Sequence, residues 1–492
     1  MRFMAALSLL LASGFVRAAV NWNDVFDGTK PRPSLDPPPV ARRSDPAANE
    51  VDGRAMGVIR AEQSDLSDPV WPGFAILSQP LLIYEAGGRA TLIAHPSPPP
   101  GYRAVKANPQ AVFVKDAEPA DFQFAFQYHK AVNGIDTFAY RYEPGDDERQ
   151  DIETIVHERF HVYQEKAFKN RREPENEVEP TAAILSLAAL EQMALKSALN
   201  AGDPADAARF AREFRVIRKA RYGADPALEK GEAEQEQVEG MAEYISRKLM
   251  ARPGVLATPK NAVEEIGKSL DRFPSVDDMA KGRFYGTGAA QGYLLDLVGA
   301  ADWKERVAAG ETPYNLMSLA YPGSAAQDAA LLDEAKRDLG YSALLIKGNE
   351  AAEAYQAEKN TAIAAYENAA GVELVVQVPW DDRMEFGFSG RAEQYRMKDG
   401  SRLVPGMEVI DAHAVAFALH VEHRAAVISP DVRFYMDAGE TLLEVDGKVR
   451  APVEGECVFS TLTLRGRGFE LIVSARGKMT IAGRRVVVAF PK

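Results

Sequence analysis

Asp151–Lys166 reads DIETIVHERFHVYQEK, and its interpretation decides the fold of the middle of the chain. Ile152, Ile155, Val156, Phe160 and Tyr163 recur with the 3.6-residue period of an α-helix. On such a helix His157 and His161 project from one face, about 6 Å apart along the axis. Glu158 stands between them, completing the pattern H-E-x-x-H with two of the chain's seven histidines. Two imidazoles at this spacing can reach one metal ion, and the adjacent carboxylate can take a proton from water held there. The competing interpretation is an ordinary helix carrying two solvated histidines.

A zinc site that catalyses needs a third protein ligand and one position left to water. No third histidine follows, since His161 leads into VYQEKAFKNRR, and His413, His420 and His423 lie far downstream in strand-like sequence. A carboxylate must complete the set. Glu177 and Glu179, in ENEVEP, are the near candidates. The more distant one is Glu239 in EQVEGMAEY, where Glu236, Glu239 and Glu243 share a helical face. Glu239 and Glu243 sit among Val238, Met241, Ala242 and Ile245, and carboxylates in apolar surroundings need a partner.

His157-Glu158-x-x-His161 together with Glu239-Gly240-Met241-Ala242-Glu243-Tyr244 resembles the gluzincin metallopeptidases, whose H-E-x-x-H helix is completed by a glutamate on a second helix. The resemblance implies Zn²⁺ held by His157, His161 and Glu239, with Glu158 as general base in the hydrolysis of a peptide or protein. It also implies that Glu243 accepts a hydrogen bond from a ligating histidine. Gly240, without a side chain, would let two helices approach closely around the ion. The 78 positions from His161 to Glu239 exceed the spacing of the best-known members. Two helices, at about 181–199 and 204–221, fill the gap. Tyr285, in GRFYGTGAAQGYLLDLVG, resembles a Y-x-x-G-x-A element of related peptidases and is the candidate oxyanion donor. A packed core tyrosine competes with that role, and Arg283 is a weaker candidate. The strand GIDTFAYRYEP before the metal helix is the edge on which the family would lay an extended peptide. The likeness is specific over His157–Tyr244 and loose to Asp296, and it leaves out both ends of the chain.

At 492 residues the chain is long enough for two or three domains. Its 58 Lys and Arg against 71 Asp and Glu give a net charge of −13, which argues against a nucleic-acid partner. MRFMAALSLLLASGFVRAAV has a basic start, an apolar run shorter than the ~20 residues of a bilayer span and a small-residue cleavage signal. Residues 1–18 are therefore expected to be a signal peptide and the protein exported, periplasmic or secreted. No later stretch reads as a bilayer span, and the single cysteine, Cys457, excludes an intrachain disulfide.

Residues 19–70 are expected to be an extended, proline-rich leader, and 71–370 a zincin-like core. That core begins with strands around Gly87-Gly88 and turns helical from Asp147. Asp203-Pro204 and Asp225-Pro226 mark helix starts, and later helices are placed at about 288–299, 325–338 and 345–369. Beyond Gly371 the period becomes two, predicting a β-sandwich or barrel over 371–492. The predicted class is α+β: a mixed N-terminal lobe, a mainly helical core and an all-β C-terminal domain. The alternative to an enzyme is a non-enzymatic envelope protein whose metal site is structural or vestigial and whose β domain binds a partner.

Overall fold

The computed structural model describes residues 51–85, 87–105, 110–117, 129–169, 179–276, 278–378, 385–390, 394–428 and 431–490. The expected signal peptide, most of the expected leader and Glu177 lie outside the described residues. The class is α+β, with helices in the middle of the chain and one sheet on each side of them in sequence.

Helix α1 (Gly53–Ser67) falls inside the segment expected to be extended. Its sequence carries only a short apolar period, and its helical form rests on tertiary contacts. Gly57 packs so closely on Ile152 that a Cβ there would lie 2.3 Å from Cδ1. Arg54 bonds Asp151 at 2.5 Å and lies 3.8 Å over the Tyr142 ring. Strands β1 (Leu81–Glu85), β2 (Ala90–Ile93), β3 (Arg103–Val105), β4 (Val112–Lys115), β5 (His129–Val132) and β6 (Ile135–Tyr142) then form a sheet in the order 3-4-2-1-6-5. The strand expected to be a substrate edge is β6, which lies between β1 and β5 in that order. Its Phe138–Tyr142 pair in parallel with β1, and its Ile135–Phe138 pair antiparallel with β5.

Helix α2 (Glu148–Ala167) carries H-E-x-x-H and is capped by Asp147, which accepts from the Arg149 amide. It is buried on all sides rather than along one stripe. Phe160 meets Trp71 and Phe74 edge-on at 5.2 and 5.1 Å. Arg159, 2% exposed, reaches back to the Ile76 carbonyl at 2.7 Å and Gln79 Oε1 at 2.8 Å, strapping the approach to β1 onto the helix. Burial pulls that guanidinium down to about 10.

The interposed helices are α3 (Ala182–Leu199) and α4 (Pro204–Ala224), the latter capped by Asp203. Contrary to expectation, α3 is long and apolar enough to cross a membrane by length and composition. It is instead mostly buried in the helical core. Next come α5 (Ala227–Gln235), a π-helical turn at Glu236–Gly240, α6 (Met241–Met250) and α7 (Ala262–Ser269). A second π-turn, Asp278–Gly282, opens α8 (Arg283–Leu297). Helices α9 (Trp303–Ala308), α10 (Pro313–Ala320), α11 (Ala325–Asp338) and α12 (Tyr341–Glu367) finish the core. The C-terminal strands, from Val372–Val376 to Arg485–Ala489, form a sheet of thirteen among the described residues. They enclose a separate core around Leu374, Leu419, Phe434, Leu471 and Val488. Tyr355 and Tyr366 of α12 pack against that sheet at Tyr395 and Tyr435.

Candidate metal centre

His157, Glu158 and His161 are 7, 6 and 4% exposed, so the two histidines are not solvated residues on a helix face. Their Nε2 atoms lie 3.1 Å apart. Glu239 Oε2 lies 3.4 Å from the first and 3.3 Å from the second. A tetrahedral ion with donors at ~2.0–2.1 Å requires neighbouring donors about 3.3–3.4 Å apart. The triangle matches that edge length. A Glu158 carboxylate oxygen is within 4.8 Å of both histidines' donor atoms. The buried group of His157, Glu158 and His161 can therefore hold a metal ion.

Glu239 reaches this place through the π-turn, which inserts an extra residue and rotates the helix beyond it. The expected common face of Glu236, Glu239 and Glu243 is thereby broken. Glu239 turns to the histidines. Glu236, fully buried, turns the other way to Arg218 Nη1 at 2.6 Å and to the Thr287 hydroxyl at 2.5 Å. Gly240 does allow a close approach, but to α8 rather than to the metal helix. A Cβ on Gly240 would lie 2.5 Å from the Gly288 Cα.

That contact delivers Tyr285 to the site. Its ring stacks on His157 with centroids 5.6 Å apart and planes at 19°. Burial, then the carboxylates of Glu239 and Glu158, hold its phenol well above the ordinary range, so it remains a hydrogen-bond donor. Arg283 does not face the site. It is 4% exposed and bonds Glu191 Oε2 at 2.7 Å.

The supporting shell is charged on one side and neutral on the other. Glu243 Oε2 stands 3.6 Å from His157 Nδ1, held in turn by Arg247 Nε at 2.7 Å. Burial pulls the His157 imidazole down, but Glu239 and Glu243 outweigh it and raise it to about 10. The same pairing overcomes burial at Glu243, which is lowered to about 2, and at Glu239, which His161 and His157 hold well below the carboxylate range. Lys281 Nζ is 3.7 Å from Glu239 Oε1. On the neutral side is Gln164, which sequence reasoning missed. Its Oε1 lies 2.8 Å from His161 Nδ1, and its Nε2 donates to the carbonyls of Gln237 and Val238 at 3.1 and 3.0 Å. The available signal was a glutamine one turn past the second histidine, on the face that the histidines define.

The rival carboxylate Glu179 is exposed and paired with Lys359 at 2.5 Å. His413, His420 and His423 lie in the strands Arg402–Ala414 and Phe417–Ile428 as expected, with His420 between Asp411 and Glu422. Behind the π-turn, α3 and α4 supply a second buried polar cluster. Arg221 bonds Glu191 and Glu232 at 2.6 Å each, Arg218 bonds Glu236, and Arg283 joins through Glu191. No protein-family model, curated protein or solved structure matches the chain.

Proposed function

We propose that this chain is an exported zinc-dependent metallopeptidase of gluzincin type. The observation that carries the proposal is the triangle of His157 Nε2, His161 Nε2 and Glu239 Oε2, with sides of 3.1, 3.4 and 3.3 Å. Two imidazoles and one carboxylate are a donor set that suits zinc. A zinc ion held by His157, His161 and Glu239 would supply Lewis acidity and make water a usable nucleophile near neutral pH.

The chain's own residues do the rest. Glu158, beside both histidines, accepts the proton of the attacking water and returns it to the leaving amine. The Tyr285 hydroxyl donates to the oxyanion that develops on the scissile carbonyl. Glu243 holds the His157 ring through Nδ1. Export rests on the composition of residues 1–18, and the peptide substrate on the resemblance to gluzincins.

The test is zinc per chain in the purified protein, together with hydrolysis of an unfolded protein substrate. One zinc in the wild type, lost in Glu239→Ala, is the expected result. Glu158→Gln should keep the zinc and lose about 10²–10⁴-fold in hydrolysis, the usual scale of general-base removal. Hydrolysis that survives Glu158→Gln would sink the mechanism. Wild-type protein that takes up no zinc on reconstitution would sink the site.

A further inference from the structure

We infer that Gln164 is a two-ended positioning residue, which sets the ring tautomer of His161 and ties that ring to the π-turn carrying Glu239. The inference rests on the proposal above that His161 and Glu239 bind the metal.

The orientation of a glutamine amide follows from its neighbours. At one end of Gln164 stand the carbonyls of Gln237 and Val238, at 3.1 and 3.0 Å, and carbonyls only accept. The NH₂ group, with two protons to give, must face them. The carbonyl end then faces His161 Nδ1 at 2.8 Å and can only accept from it. Nδ1 must therefore carry the proton, which leaves the lone pair on Nε2. Nε2 is the atom that stands 3.3 Å from Glu239 Oε2 and 3.1 Å from His157 Nε2. In its neutral form the ring is thus held in its metal-binding tautomer by Gln164 and not by the metal.

The other end acts on backbone. Gln237 and Val238 belong to the π-turn, whose extra residue aims Glu239 at the histidines. Gln164 is fully buried, so no solvent can replace it at either end. A single amide thus joins the helix that bears two ligands to the turn that bears the third. A carboxylate could serve the His161 end, but in its ionised form it has no proton for the two carbonyls. This is the physical case for glutamine, where His157 is matched with the glutamate Glu243.

Two variants separate the two ends. Gln164→Leu removes both, whereas Gln164→Glu keeps the acceptor and gives up the donors. Zinc affinity is read by competition with a chromophoric chelator. The ring tautomer is read by long-range ¹H–¹⁵N correlation on metal-free, ¹⁵N-histidine-labelled protein. In the wild type His161 should show the Nδ1–H form. Gln164→Leu should bind zinc roughly 10–100-fold more weakly, the usual effect of losing such a partner, with a mixed tautomer. Gln164→Glu should keep the Nδ1–H form and melt at lower temperature without metal.

An Nε2–H tautomer in wild-type His161, or zinc binding by Gln164→Leu within twofold of wild type, would overturn the inference. Should Gln164→Leu fail to fold, the wild-type tautomer and Gln164→Glu decide. Failure of the wild type to bind zinc would defeat the metallopeptidase proposal, while the tautomer measurement would still judge the clamp.

Discussion

Two buried clusters of charge lie on opposite sides of one π-turn, and they are built on different rules. Behind the turn, Glu191, Glu232 and Glu236 face Arg218, Arg221 and Arg283, all with side chains at most 1% exposed. Three carboxylates meet three guanidiniums, and each anion is bonded by at least one cation. Before the turn, among the described residues, the carboxylates of Glu153, Glu239 and Glu243 pair with Arg247, Lys260 and Lys281, and Glu158 stands beside the histidines. Two imidazoles complete that set, and the excess is anionic. A buried cluster that neutralises itself has a structural explanation, because each charge is compensated where it sits. One left with surplus negative charge around two imidazoles is poised for a cation. His157, raised to about 10, expresses the same imbalance with a proton as the cation.

The sharpest way to break this comparison is to remove one carboxylate from each cluster in metal-free protein. Glu191→Ala would leave Arg218, Arg221 and Arg283 short of an anion, and should cost about 3–5 kcal/mol in chemical denaturation. Glu239→Ala removes a carboxylate that pairs with His157 and His161, so it too should lower metal-free stability, but by less than Glu191→Ala because Glu243 still faces His157, and it abolishes zinc uptake. Equal losses in the two variants would show that the clusters do not differ in kind.

A smaller effect is expected where the two clusters meet. Gly240→Ala would press a Cβ against the Gly288 backbone and force α6 and α8 apart, at about 1–3 kcal/mol. Because α8 carries Tyr285, hydrolysis should fall more than zinc affinity does. A loss of zinc with unchanged turnover per bound zinc would contradict the assignment of that contact to Tyr285.

The smallest effect near neutrality is the pH dependence of metal-free stability, and the clusters should differ in sign. Glu191 is desolvated, but Arg221, Arg218 and Arg283 lower it from 4.5 to about 2. Its contribution is present above about pH 4.5 and lost as pH falls toward 2. His157 is raised from 6.5 to about 10, so its contribution is present below about pH 6.5 and lost as pH rises through 10. Denaturation midpoints across pH should therefore fall at both ends. Glu191→Ala should remove the acid limb, and His157→Ala the alkaline one.

Much of this was legible in residue order. The helix through His157 and His161, the capping aspartates Asp147 and Asp203, and the α+β class all follow from local periodicity and turn chemistry. The choice of Glu239 over Glu179 as the carboxylate facing the histidines also began as a pattern, E-G-M-A-E-Y, and the geometry agrees with it. Two readings failed for one shared reason. The leader over 53–67 is helical, and Arg283, the weaker oxyanion candidate, points away from the metal centre, because each outcome depends on partners far away in sequence. Arg54 meets Asp151, and Arg283 meets Glu191.

Local period determined where α2, α3, α4 and the C-terminal strands run and which two histidines share a face. Tertiary packing decided the rest. The π-turn aims Glu239 one way and Glu236 the other, the Gly240–Gly288 contact brings Tyr285 over His157, and Gln164 bridges ligand and turn. An extra residue in a helical turn gives no periodic signal, and a contact between residues 73 positions apart, as from Gln164 to Gln237, gives none either.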